Sequence, residues 1–179
     1  MNDSIFKSEI AKRLKEERTR QGLSLDATAK LTGVSKAMLG QIEREESSPT
    51  IATLWKIASG LGSSFSAFFA TKPDLQSKER VFPDDARMAV KTLFPYQSDT
   101  GIEVFEISLS EYHQQLSTPH SVGVIEHVHV LSGRLRVLFD NQWHELEAGE
   151  SVRFYSDQPH GYEAVSSSAI FQNIVSYPK

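Results

Sequence analysis

Apolar residues recur at helical intervals over the first 70 positions and alternate with polar ones beyond about position 86, so the chain changes periodicity once. Ile5, Ile10 and Leu14 fall among charged residues between Ser4 and Gln21, the pattern of an amphipathic helix that Gly22 ends. Ser24 caps a second helix, Leu25 to Thr32, which stops at Gly33, the residue best able to take a positive φ. Ser35 at once caps a third, Lys36 to about Arg44. Thr50 caps a fourth carrying Ile51, Leu54, Ile57, Ala58 and Leu61, and Ser64 a fifth with Phe65, Phe68 and Phe69. These apolar positions form a core. Trp55 sits off the main stripe and is expected to be a partly buried aromatic, with packing at a domain interface as the alternative.

From Thr71 to about Asp85 the periodicity lapses, and Pro73, Asp74, Pro83, Asp84 and Asp85 give the composition of a linker. Short stretches rich in β-branched and aromatic residues follow: Met88 to Phe94, Glu103 to Leu109, Gly123 to Leu131, Arg134 to Phe139, Ser151 to Tyr155, Tyr162 to Val165 and Ala169 to Val175. Ser132-Gly133 and Asp140-Asn141 supply turns between them. The expected organisation is an α+β multidomain chain with a helical domain at 1–70, a linker at 71–85 and an all-β sandwich or barrel at 86–179.

Charge follows the same division. The first 70 residues hold 10 Lys/Arg against 8 Asp/Glu and the rest 9 against 15, so only the helical domain suits a polyanion. All six histidines lie after position 110. With no cysteine there is neither a disulfide nor a thiolate zinc site, and a metal would have to be held by imidazole and carboxylate. Met1 to Lys12 lacks an apolar signal region and no apolar run approaches a membrane span; together with the lack of cysteine this predicts a cytoplasmic protein with no membrane partner.

The second and third helices meet across a three-residue turn, with Ala29 small at their crossing, Gly33 at the turn and Val34, Leu39 and Ile42 filling a shared core. These are the packing requirements of a helix-turn-helix, although an ordinary helical hairpin meets them too. On the third helix Lys36, Ala37, Gly40, Gln41 and Arg44 form one stripe opposite Leu39 and Ile42, with Ser35 at its start. Gln41 suits a bidentate bond to adenine, Lys36 a guanine or phosphate, and Ala37 a thymine methyl, while the small residues let the helix sit deep in a groove. Ser35, Lys36, Ala37, Gly40, Gln41 and Arg44 are the candidate DNA-binding residues.

Residues 10–69 resemble the five-helix DNA-binding domain of the lambdoid phage repressors and the XRE-like bacterial regulators. That resemblance implies an internal ion pair between Arg18 and Glu43. The β-domain resembles the cupins in two motifs, the stretch from His120 through Glu126 to Gly133 and the stretch from Gly149 through Pro159 to His160. It implies a jelly-roll barrel in which His120, Glu126 and His160 hold one divalent metal, zinc first, with iron, manganese or nickel also suited. Val122 stands where the family has a second histidine. Glu126 and His127 must point to opposite faces of a regular strand; the motif puts Glu126 inside, with His127 and His129 on the other face. Tyr162 shares parity with His160, and Arg136, Arg153 and Phe154 lie on neighbouring strands, so these four are candidates for an effector pocket with an apolar wall and a carboxylate clamp. His113 and His144 carry no such expectation.

The combined expectation is a sequence-specific transcription regulator similar to the XRE–cupin family. Its barrel would bind a metal and an amino-acid-like or carboxylate-bearing effector that modulates binding to a double-stranded operator. A single domain near +2 makes few phosphate contacts, so a homodimer is expected, with Val128 to Leu131 and Leu135 to Phe139 as candidate surfaces. The alternatives are a cupin-type metalloenzyme with an autoregulatory DNA-binding domain and a DNA binder whose barrel is an inert dimerisation platform.

Overall fold

Three hydroxyl caps open three of the four α-helices among the described residues. Ser24, Ser35 and Thr50 accept hydrogen bonds from the backbone N–H groups of Ala27, Met38 and Thr53 at 3.1, 3.2 and 3.1 Å, starting α2 (Leu25–Thr32), α3 (Lys36–Glu43) and α4 (Ile51–Gly60) after α1 (Asp3–Arg20). Gly33 ends α2 at φ 67°, its N–H donating to Ala29 O. This computed structural model describes residues 3–69, 80–81 and 86–178, and the chain divides into two compact units, Met1–Lys72 and Pro73–Lys179. Most of the expected linker, 71–85, lies outside the described residues.

In the helical unit Ile10, Leu14, Leu39, Ile42, Leu54, Ile57 and Phe65 are fully buried, each contributing about 1.5–3 kcal/mol of transfer free energy. A Cβ on Gly60 would stand 2.6 Å from Thr32 Cα, so α4 and α2 meet backbone to backbone there. The buried hydroxyls of Thr28 and Thr32 are satisfied inside their own helix, by Ser24 O and Thr28 O. Trp55 stacks on Phe65 with ring centroids 4.1 Å apart and planes at 6°. The expected fifth helix is corrected: Phe65–Phe68 is a single 3-10 turn, and Ser64 makes no side-chain cap bond. The tight turn stacks positions i and i+3, putting Phe65 and Phe68 together into the core, and Phe69 completes the burial without a further turn. Among the described residues the unit therefore has four α-helices.

The second unit is two antiparallel sheets. The larger has the strand order β1 (Arg80–Val81), β2 (Met88–Gln97), β3 (Ile102–Ser110), β10 (Ser168–Ser176), β5 (Ile125–Ser132) and β8 (Ser151–Tyr155). The smaller has β4 (Gln114–Ser117), β9 (His160–Ala164), β6 (Arg134–Phe139) and β7 (Gln142–Glu147). Alternation buries Phe105, Ile107 and Leu109 of β3, Val128 and Val130 of β5, Leu135 and Val137 of β6, and Phe171 and Val175 of β10. All seven expected strands are present. Three further strands, β1, β4 and β7, are ones the hydrophobic pattern does not mark. Asp140 and Asn141 both take positive φ, 52° and 59°, and this two-residue turn lays the largely polar β7 against β6 with Phe139 opposite Gln142. Among the described residues no helix is long and apolar enough to cross a membrane.

Candidate functional site

The outer surface of α3 is built by its packing. Leu39 and Ile42 are sealed in the core, and Arg18 of α1 grips Glu43 from the inner side with Nε–Oε1 at 2.6 Å and Nη2–Oε2 at 2.9 Å, while its Nη1 donates to Leu23 O at 2.8 Å. This bidentate pair sets the rotation of α3, so Ser35, Lys36, Ala37, Gln41 and Arg44 face solvent together. Gly40 is covered by the Arg44 side chain and forms the floor of a shallow cleft with Leu25, Lys36, Ala37, Gln41 and Arg44. Both cations of this surface are paired: Lys36 Nζ with Asp26 Oδ2 at 2.9 Å, and Arg44 with both oxygens of Glu46 at 2.8 Å.

In the barrel, three buried side chains from separate elements converge. His120 lies in the loop before β5, tied down by its N–H to Ser156 O; Glu126 is the second residue of β5 in the large sheet; His160 opens β9 in the small one. Glu126 Oε1 is 3.0 Å from His120 Nε2 and 3.4 Å from His160 Nε2, and the three ligand atoms lie within 4.8 Å of one another. His160 Nδ1 is 2.8 Å from Gln158 O, which can only accept, so Nδ1 carries the proton and Nε2 offers its lone pair. Glu126 Oε1 faces only the two imidazole Nε2 atoms, whereas Oε2 accepts from the Tyr162 hydroxyl and, at 2.8 Å, from Asn173 Nδ2. Burial opposes ionisation of Glu126, but the positive charge that His160 and His120 carry when protonated, with hydrogen bonds from His120 and the Tyr162 hydroxyl, outweighs it and brings its pKa down to about 2. Burial also lowers the His160 pKa against the pull of Glu126, and raises that of Tyr162 well above the usual phenol value. A carboxylate, a neutral imidazole and a protonated phenol result at neutral pH. Lone-pair atoms this close need a cation or a proton among them, and two imidazoles with one carboxylate are a donor set suited to a divalent transition metal.

Around this cluster, Phe154 stacks on Phe139 at 5.0 Å and lies 5.9 Å from His160, so Phe154 and Tyr162 both line the interior beside the triad. Arg136 and Arg153 do not, which corrects the expected pocket. Leu135 and Val137 point inward, so Arg136 points outward, where it pairs with Glu163 at 3.2 Å; Phe154 points inward, so Arg153 is exposed over the Tyr155 ring. His127 and His129 share that outer face, His129 Nδ1 standing 2.8 Å from Ser151 Oγ. Val122 is 85% exposed in a turn, so a side chain at that position is directed to solvent. His144 stacks on Phe139 at 4.0 Å. Asn173 is the site residue that sequence reasoning missed, although a signal was present: it is the one polar side chain among the inward positions Ala169, Phe171, Asn173 and Val175 of β10.

The helix-turn-helix family model matches residues 14–68 and the cupin domain model residues 108–172. The HTH-type transcriptional regulator SutR of Escherichia coli (strain K12) is 45% identical over 168 residues, 93% of each chain. The HTH-type transcriptional regulator PuuR of the same organism is 25% identical over 167 residues, covering 87% of this chain and 88% of its own. The crystal structure of an HTH_3 family transcriptional regulator from Vibrio cholerae superposes with a TM-score of 0.95 at 67% identity, covering 99% of this chain and 100% of that one. The cupin domain of an XRE family transcriptional regulator from Enterobacter cloacae superposes with a TM-score of 0.51 at 40% identity, covering 52% of this chain and 99% of that one.

Proposed function

Because this chain belongs to the helix-turn-helix transcriptional regulators that carry a C-terminal cupin domain, we propose that it binds its operator as a homodimer, under the control of a metal-anchored effector in the barrel. It is a regulator and not an enzyme. The observation that carries the metal reading is the buried convergence of His120, Glu126 and His160 on one point, with Glu126 Oε1 facing both imidazole Nε2 atoms. These residues fit zinc, and iron, manganese or nickel equally by donor type. A bound ion would supply a Lewis-acidic centre with open positions for an oxygen or nitrogen donor of the effector. Since Arg136 and Arg153 lie outside the barrel interior, a carboxylate-bearing effector would rely on the metal for its anion contact.

On the DNA side, Gln41 offers the bidentate amide that reads adenine, and Ser35, Ala37 and Gly40 keep the helix slim enough to approach the bases. Lys36 and Arg44 reach phosphate or guanine only by leaving Asp26 and Glu46, exchanging one anion for another. Two tethered copies on a two-fold operator compensate for the few phosphate contacts of each. The outer face of the large sheet, with His127, His129 and Ile174, is the surface we assign to the second copy. An effector shifts operator binding only through its differential affinity for two arrangements of the dimer, typically worth about 1–3 kcal/mol.

The test compares the parent with His160→Ala, using elemental analysis of protein purified from cells and operator affinity before and after chelation. The expected variant loses its metal and any response to chelation, yet still binds DNA, because no ligand of the triad lies in the helical unit. A variant with a full metal complement and an unchanged response refutes the reading and leaves the barrel as a platform for dimerisation.

A further inference from the structure

We infer that Tyr162 and Asn173 form a clamp that holds Glu126 to a single metal-facing oxygen, keeping coordination positions open at the site; this rests on the metal reading above. A carboxylate only accepts hydrogen bonds, so the Asn173 amide must turn its nitrogen toward Glu126, and its orientation follows without ambiguity. The same nitrogen lies 3.1 Å from Tyr162 Oη, whose own proton goes to Glu126 Oε2. Both donors therefore converge on Oε2, and neither reaches Oε1, which faces the two imidazoles. Bidentate coordination would need both oxygens turned to the ion. With the two lone pairs of Oε2 already engaged, Glu126 can give only Oε1.

The clamp also joins the two sheets, since Tyr162 stands on β9 of the small one while Glu126 and Asn173 stand on β5 and β10 of the large one. Its composition is not what stability alone would select. Asn173 occupies an inward position between Phe171 and Val175, is 1% exposed, and leaves its Oδ1 without a partner. A leucine would fill that place with no polar group to desolvate. The amide instead fixes the angle and free lone pairs of a metal ligand, as outer partners of metal-bound carboxylates do.

Cobalt(II) titration of the full-length protein tests this, for the parent, Tyr162→Phe and Asn173→Leu, with visible absorption as the readout and a thermal melt of each metal-free protein alongside. The parent should bind cobalt(II) with the strong bands of a four- or five-coordinate ion. Each variant should bind about 10–100-fold more weakly. Its bands should also lose intensity per bound ion, as the released carboxylate swings to bidentate coordination and the coordination number rises. A merely structural role would alter the melt and leave the band intensity at saturation unchanged. If the parent takes up no cobalt(II), the metal reading fails first. If the parent binds it and Tyr162→Phe, which removes only one oxygen, matches the parent in affinity and spectrum, the clamp is refuted while the metal reading stands. Should Asn173→Leu not fold, the Tyr162→Phe comparison decides.

Discussion

Replacing Glu43 by alanine tests the contact on which the presentation of α3 depends. The Arg18 and Glu43 side chains are 14% and 9% exposed and share two parallel hydrogen bonds, with a third from Arg18 to Leu23 O. Deleting one partner of a buried pair costs about 3–5 kcal/mol, chiefly because the remaining charge is stranded. Here Arg18 keeps a carbonyl partner and a little solvent, so the lower end, about 3 kcal/mol, is expected. For a domain of this size each kcal/mol moves the melting temperature by about 4–8 °C, which makes the expected fall about 12–24 °C. Circular dichroism at 222 nm on the full chain reads this unit selectively, because the four α-helices of the described residues all belong to it. The double variant Arg18→Met/Glu43→Leu should lose less than either single one, since no charge is left without its counterion. Raising salt to about 1 M should change the parent little, as a shielded pair is screened far less than a surface one. A Glu43→Ala melt within about 2 °C of the parent, or a double variant as unstable as the single ones, would refute the reasoning.

On the reading stripe, Gln41→Ala should cost about 1–3 kcal/mol at the cognate operator and relax one base position without changing non-specific affinity; operator selection that returned the parental sequence at parental affinity would show that Gln41 reads no base. Asp26→Asn frees Lys36 from its surface pair, so the slope of log affinity against log salt should steepen by about 0.9; anisotropy titrations on duplex DNA across salt would show an unchanged slope if Lys36 makes no phosphate contact. In the metal-free barrel, Glu126 has a folded pKa of about 2 against an ordinary 4.5, so its stabilising contribution is complete above about 4.5 and is lost as pH falls toward 2. His160 acts in the same direction: burial favours its neutral form in the fold, and acidification below its ordinary 6.5 costs stability. Calorimetric melts of the barrel should therefore fall as pH drops below about 6.5, through His160, and again from about 4.5 toward 2, through Glu126, and a flat profile across both windows would contradict the buried carboxylate–imidazole cluster.

What could be read without the structure is whatever short-range chemistry decides. Ser24, Ser35 and Thr50 cap helices, and Gly33 and Asp140-Asn141 turn the chain, because each of these features is settled within a few residues by one hydrogen bond or one positive φ. Strand parity was legible too, and it separates Glu126 from His127; the same parity, counted from Leu135 and Val137 or from Phe154, would have placed Arg136 and Arg153 outside the barrel. The strands β4 and β7 escaped notice because they are held by pairing with β9 and β6 rather than by an apolar face of their own. The fifth helix shrank to one turn because the core needed Phe65, Phe68 and Phe69 together, a demand no local pattern expresses. Only the tertiary structure decided that Asn173 would meet Glu126, 47 positions away, and that Val122 would face solvent. Those placements depend on the register of β10 against β5 and on how two sheets close over one another, and both arise from the packing of many side chains at once.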